Sequence, residues 1–315
     1  MYTLSDLRLA AQSPKSILRE MNRLGHTRMR TQAYNPNGIC VFDEDWDNLI
    51  ILDACRYDRF ADRSNLPGTL EHRTSRAGAT REFVESNFRG RHLHDTVYLT
   101  ANGWFQRLRN VIDSEVHKLI DLHMNDPDGR YHSEEFKVVP PEALTERATE
   151  AVNEYPNKRL VIHYIQPHHP FMGPIGRKYF KPRTANMNEV INESSDATPR
   201  LVRRAYTENL DMVLSSVSDL LPSLPGKTIV FADHGEMLGE RHDFVPVRDY
   251  GHHNGIYNSV LTKVPWHITE NGNRKRIIPE APEDEAEEVD IALLEQRLAD
   301  LGYKMGDASA PEVEN

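Results

Sequence analysis

The chain has 315 residues, 48 acidic against 38 basic, for a formal charge of −10. Mean hydropathy is −0.63. An acidic chain is poorly suited to sequence-independent nucleic-acid binding, which runs on phosphate neutralisation. No apolar run reaches the roughly 20 residues that a membrane-spanning helix needs.

Residues 1–45 read as an N-terminal helical extension. Ser13-Pro14 can start a helix with proline in its first turn, and Ile17, Met21 and Leu24 recur at helical spacing. The pattern stops after Gly25, and Asn35-Pro36-Asn37-Gly38 is a turn cluster. Asn48-Leu49-Ile50-Ile51-Leu52 is then a short continuous apolar run ending at Asp53, as expected for a strand buried on both faces. The same shape recurs at Thr96–Thr100, at Arg159–Ile165 and at Lys227–Phe231. Helical periodicity is strongest over 140–155 and 199–222. Strands alternating with helices predict an α/β fold, a mainly parallel central sheet sandwiched by helices. The length suits one large domain of this kind. Beyond Glu280 the chain turns acidic, and Ile291, Leu293, Leu294, Leu298 and Leu301 predict a last helix stopped by Gly302. Residues 306–315 read as a disordered tail.

In open α/β sheets the ligand site lies beyond the C-terminal ends of the strands. Here those positions carry Asp53, His163 with His168, and Asp233 with His234. Carboxylates and imidazoles delivered to one sheet edge are the donors a divalent cation takes. Any one alone is equally a polar cap on a strand. In Asp233-His234-Gly235-Glu236 the glycine permits the sharp turn that brings both side chains to one ion. Tyr250-Gly251-His252-His253-Asn254-Gly255 reads as a site loop or as a surface loop with incidental histidines.

Several segments together resemble the sulfatase branch of the alkaline phosphatase superfamily. They are Asp53 after its strand, Asp233-His234-Gly235-Glu236 with Leu238-Gly239-Glu240, and Gly251-His252 before Val264-Pro265. The run His163–Phe171 is similar to that branch's histidine-rich segment, and Leu301-Gly302-Tyr303 to its usual ending. The likeness spans 46–305 and implies an alkaline-phosphatase-like catalytic domain there. It also implies a metal-activated nucleophile at a helix N-terminus. Neither Cys40 nor Cys55 stands in the cysteine-x-proline-x-arginine setting of formylglycine sulfatases. Phosphate-transferring relatives use threonine or serine. Thr80, after the small-residue loop Ser75-Arg76-Ala77-Gly78-Ala79, is the first candidate and Ser75 the second. An ordinary N-cap threonine looks the same in sequence.

The resemblance implies one divalent cation (Zn, Mn, Mg or Ca) on Asp53, Thr80, Asp233 and His234. A second has room near His163, His168 or His252. His168 or His252 would protonate the leaving group, and Arg76, His163, His169 and His253 would line the substrate. The expected activity is ester hydrolysis or transfer on a phosphate ester, or a sulfate ester, through a covalent threonine intermediate. The substrate could be glycan- or lipid-linked. The alternative is a non-catalytic, metal-binding member of the fold serving as a binding protein. Two free cysteines and a polar start without a signal peptide's apolar core lead to a cytoplasmic expectation. Ten lysines against 28 arginines, with the acidic excess, add a halophilic one.

Overall fold

The computed structural model describes residues 14–124, 130–182, 187–192, 197–283, 294–296 and 298. Nine strands are described: β1 (Asn48–Leu52), β2 (Thr69–Thr74), β3 (His92–Thr100), β4 (Glu115–Asp121), β5 (Arg159–Tyr164), β6 (Gly226–Phe231), β7 (Met237–Arg241), β8 (Arg248–Gly251) and β9 (Lys263–Asn271). Seven form one sheet in the order β2-β9-β6-β1-β5-β3-β4, and β7-β8 form a separate hairpin. From β6 to β4 the pairing is parallel. The strands β9 and β2 extend it antiparallel.

Burial explains which strands the sequence announced. Every residue of β1 is buried, as is almost all of β5 and β6, so an unbroken apolar run is what those positions require. Leu49, Ile50, Ile51 and Leu52 have no exposed surface, and each such side chain contributes roughly 1.5–3 kcal/mol by leaving water. The edge strand β2 (Thr-Leu-Glu-His-Arg-Thr) is mostly exposed. Its charges blunt an open edge and hide the strand from a hydrophobicity reading.

Helices cover both faces. His163 and Tyr164 are neighbours in β5 and so point to opposite sides. The His163 ring meets Phe83 of helix Thr80–Phe88. The Tyr164 hydroxyl bonds Thr145 of helix Pro141–Glu154 at 2.8 Å. That helix packs on Pro199–Leu220, started by the Thr198 side chain accepting from Leu201 N–H. These two helices are the ones expected over 140–155 and 199–222. The helix starting at Pro14 runs to His26. Of the last helix, Leu294–Gln296 and Leu298 are helical, with Leu294 and Leu298 buried in the main core. Ile291, Leu293, Leu301, Gly302 and the tail 306–315 lie outside the described residues.

Candidate active site

The ends of β1, β3, β5 and β6 converge at one edge of the sheet. The turn after β1 is tied down from two sides. Ala54 has a φ of +60°, which costs a non-glycine residue about 1–2 kcal/mol. Its carbonyl accepts from the Tyr206 hydroxyl at 2.8 Å, which in turn accepts from Arg56 N–H at 3.0 Å. Its own N–H donates to Asp233 Oδ1 at 3.1 Å. The strand ends that carry Asp53 and Asp233 are therefore fixed to each other.

Thr80 is the first residue of helix Thr80–Phe88, and Ala79 occupies the N-cap position without a side-chain cap. The ordinary capping role is thus not the one Thr80 has. Its Oγ1 lies 3.1 Å from His234 Nε2 and 3.4 Å from Asp53 Oδ2. His234 Nε2 stands 3.3 Å from Asp233 Oδ2 and 3.7 Å from Asp53 Oδ1. Asp53, Asp233 and His234 each offer a donor atom within 4.8 Å of the others, and all three are fully buried.

This donor set fits a divalent cation on physical grounds. Asp53 Oδ1 and Asp233 Oδ2 are buried without a hydrogen-bond donor. Among the described residues no lysine or arginine pairs with either carboxylate. Burial, then the charges of Asp233 and Glu236, hold the Asp53 carboxyl well above its usual range. Burial raises Asp233 too. Two carboxylates and an imidazole facing one point without counter-charge are stable as anions only if a cation joins them.

A second cluster adjoins the first. His168, Glu236 and His252 also place donor atoms within 4.8 Å of one another. His252 Nδ1 is 3.2 Å from Glu236 Oε1, and its ring centroid is 4.3 Å from that of His234. Burial pushes Glu236 up to about 8 and both His168 and His252 down to about 4. His163 flanks the first cluster, with Nε2 4.0 Å from Asp233 Oδ2 and Nδ1 2.9 Å from the Tyr98 hydroxyl. His169 is buried against His168, ring centroids 4.1 Å apart, and neither of its nitrogens has a hydrogen-bond partner.

Three expected residues lie elsewhere. The Arg76 guanidinium is held by the carbonyls of Gly38 and Ser86 and stacks on Tyr34. Those two carbonyls draw it away from the carboxylates. His253 turns to Asp249, 3.2 Å away. Ser75 donates its hydroxyl to the Asp233 carbonyl and accepts from Ala77 N–H, so it shapes the loop. Two residues not foreseen belong to the site. Asn102, two positions past β3, donates Nδ2 to Asp53 Oδ2 at 3.1 Å. Glu236 was visible as the fourth residue of its motif, but its place depends on a histidine sixteen positions later.

No family model and no curated protein matches the chain. Solved structures do. The soluble domain of lipooligosaccharide phosphoethanolamine transferase A from Neisseria meningitidis aligns at 15% identity and TM-score 0.44, over 70% of this chain and 75% of that one. The zinc complex of the C-terminal periplasmic domain of EptC from Escherichia coli aligns at 13% and 0.46, over 74% and 75%. An alkaline phosphatase superfamily protein from Vibrio parahaemolyticus aligns at 12% and 0.43, over 84% and 71%. The last is by its description a protein of the alkaline phosphatase superfamily, the superfamily that the motifs resemble. The cytoplasmic and halophilic expectations are corrected here. The similar structures include periplasmic domains, and the comparisons support neither expectation. No described helix is long and apolar enough to cross a membrane.

Proposed function

We propose that the chain is a divalent-cation-dependent enzyme of phosphate esters, with Thr80 as nucleophile. The observation that carries this reading is the position of Thr80 Oγ1 at a helix N-terminus, between Asp53 and His234. Asp53, Asp233, His234 and Thr80 would hold the cation. When bound, it supplies positive charge that lowers the pKa of the threonine hydroxyl and offsets charge on the ester oxygens. The Thr80 hydroxyl gives up its proton, Oγ attacks phosphorus in line, the Thr80–phosphorus bond forms, and the ester oxygen departs with the electron pair and takes up that proton. Water or an acceptor alcohol then displaces the threonine and gives up its own proton. Helix N–H groups face the developing anion. A sulfate on threonine lacks the hemiacetal breakdown open to formylglycine hydrate, which favours phosphate. Lipid- or glycan-linked esters fit this reading; the Neisseria relative is by its description a lipooligosaccharide phosphoethanolamine transferase.

The second cluster supports a second cation. His168 and His252, with values near 4, are neutral at pH 7. Neutral imidazoles suit ligation or proton acceptance better than donation. Zinc takes such a His-His-Glu set readily.

The test is a screen of phosphate mono- and diesters and sulfate esters with added Zn²⁺, Mn²⁺, Mg²⁺ or Ca²⁺. Thr80→Ala should lose about a thousandfold or more in turnover, while Asp53, Asp233 and His234 still retain the cation. Near-parental turnover in that variant would remove Thr80 as nucleophile. Bound cation with no turnover on any ester would favour the binding-protein alternative.

A further inference from the structure

At the other end of the sheet stands a third group of ligand-type side chains. His92 and His94 are two apart at the start of β3, so the strand's period of two puts both imidazoles on one face. Glu115 opens β4 and is the direct register partner of His92. One carboxylate oxygen, Glu115 Oε2, lies 2.9 Å from His94 Nε2 and 3.3 Å from His92 Nδ1. The donor atoms of all three lie within 4.8 Å of one another. We propose that His92, His94 and Glu115 form a peripheral zinc site, separate from the catalytic clusters.

The spacing is what zinc requires. Bonds of 2.0–2.1 Å in a tetrahedron place neighbouring ligand atoms about 3.3 Å apart, and the Glu115 contacts need only a few tenths of an ångström of adjustment. A second observation points the same way. His92 Nε2, the nitrogen not used for the metal, is 3.6 Å from Asp113 Oδ1. That distance is beyond a direct hydrogen bond, so Asp113 contributes negative charge beside the imidazole, which favours a bound cation. The three ligand side chains are 48%, 35% and 50% exposed, which leaves a fourth position open to solvent. β3 runs nine residues from His92 to Thr100, which separates this site from Thr80's cluster by roughly 25 Å.

The site also has something to hold. The β3–β4 register slips between Leu93 and Val97, three residues on β3 lying against one on β4. The irregularity lies in the pairing of the edge strand β4, whose one sheet neighbour is β3. A zinc bridging the first pair would clip β4 to β3 at the end that the slip leaves short of bonds.

The experiment is a zinc count on full-length protein dialysed against low micromolar Zn²⁺, for parent, His94→Ala and Glu115→Gln. Each variant should hold one zinc per chain fewer than the parent, and zinc should raise the parent's melting temperature more than either variant's. Both changes are at partly or fully exposed positions, and circular dichroism checks that the fold is kept. Equal zinc content in parent and both variants would overturn the site. So would a loss accompanied by no difference in zinc-dependent stabilisation. Neither outcome depends on ester turnover or on Thr80.

Discussion

Asn102 has its amide orientation dictated from both ends. Its Oδ1 accepts from Trp104 N–H at 3.0 Å, which leaves Nδ2 to donate to Asp53 Oδ2. A fixed donor on one carboxylate oxygen turns the other, Asp53 Oδ1, towards His234 and the proposed cation. Such a hydrogen bond to a charged group contributes about 1.5–3 kcal/mol. Loss of a partner that orients a metal ligand typically costs about 10–100-fold in affinity. Asn102→Ala should therefore weaken cation binding by that factor, read by calorimetric titration of the folded variant. Parental affinity would show that Asp53 is oriented without Asn102.

Among the elements, helix Pro14–His26 has a larger part than its place at the start of the chain suggests. Arg19 makes a bidentate contact with the buried Asp249 at 2.6 and 2.8 Å. Lys15, His242 and His253 converge on the same carboxylate. Burial alone would raise Asp249, but hydrogen bonds from His242, His253 and Arg19 outweigh it and keep the group ionised. Asn22 adds bonds to the backbone of Phe244 and Val245. The helix thus grips both sides of the segment that leads into His252. Arg19→Met should cost about 1–3 kcal/mol through lost charge-assisted bonds. It should also raise amide exchange in residues 248–257 above that of the sheet. Unchanged exchange there would make the helix a passive cover. Elements of this sort separate what the sequence displayed from what it did not. The runs at β1, β5 and β6 were legible because a strand buried on both faces must be apolar throughout. The strands β2 and β4 carry charge at an open edge, and β9 carries Pro265 and follows directly on a short helix, Ser259–Thr262, so none showed a strand pattern. Within the site, Asp53, Thr80, Asp233 and His234 could be placed because each abuts a strand end or helix start. The direction of Arg76 and the meeting of Glu236 with His252 depend on loop paths that no local pattern encodes.

The whole molecule is organised about the two ends of its sheet. Ligand-type side chains gather where the parallel strands end. Across their starts runs an extended segment, 274–283, as a strap. Arg274 pairs with Asp45 and Asp47 just before β1. Ile278 N–H bonds the Asn157 carbonyl before β5, Glu280 N–H that of His94 in β3, and Glu283 N–H that of His117 in β4. Lys158 lies beneath it with 2% of its surface exposed, donating Nζ to the carbonyls of Ile278 at 2.8 Å and His94 at 3.4 Å and pairing with Glu280 at 2.7 Å. A methionine there would fill the same space but leave the Ile278 carbonyl without this donor and Glu280 without its partner, at about 1–3 kcal/mol for an unsatisfied group. Lys158→Met should accordingly lower the melting temperature by several degrees, since about 1 kcal/mol moves a domain of this size by roughly 2–4 °C. Because the strap and the Asp53 and Glu236 clusters occupy opposite ends of the strands, cation affinity at the Asp53 cluster should stay at the parent's value. Calorimetry on the same sample reads both quantities. A melting temperature within a degree of the parent's would mean that the strap's backbone bonds hold without Lys158. A matching fall in cation affinity would mean that the two ends of the sheet are coupled through its strands.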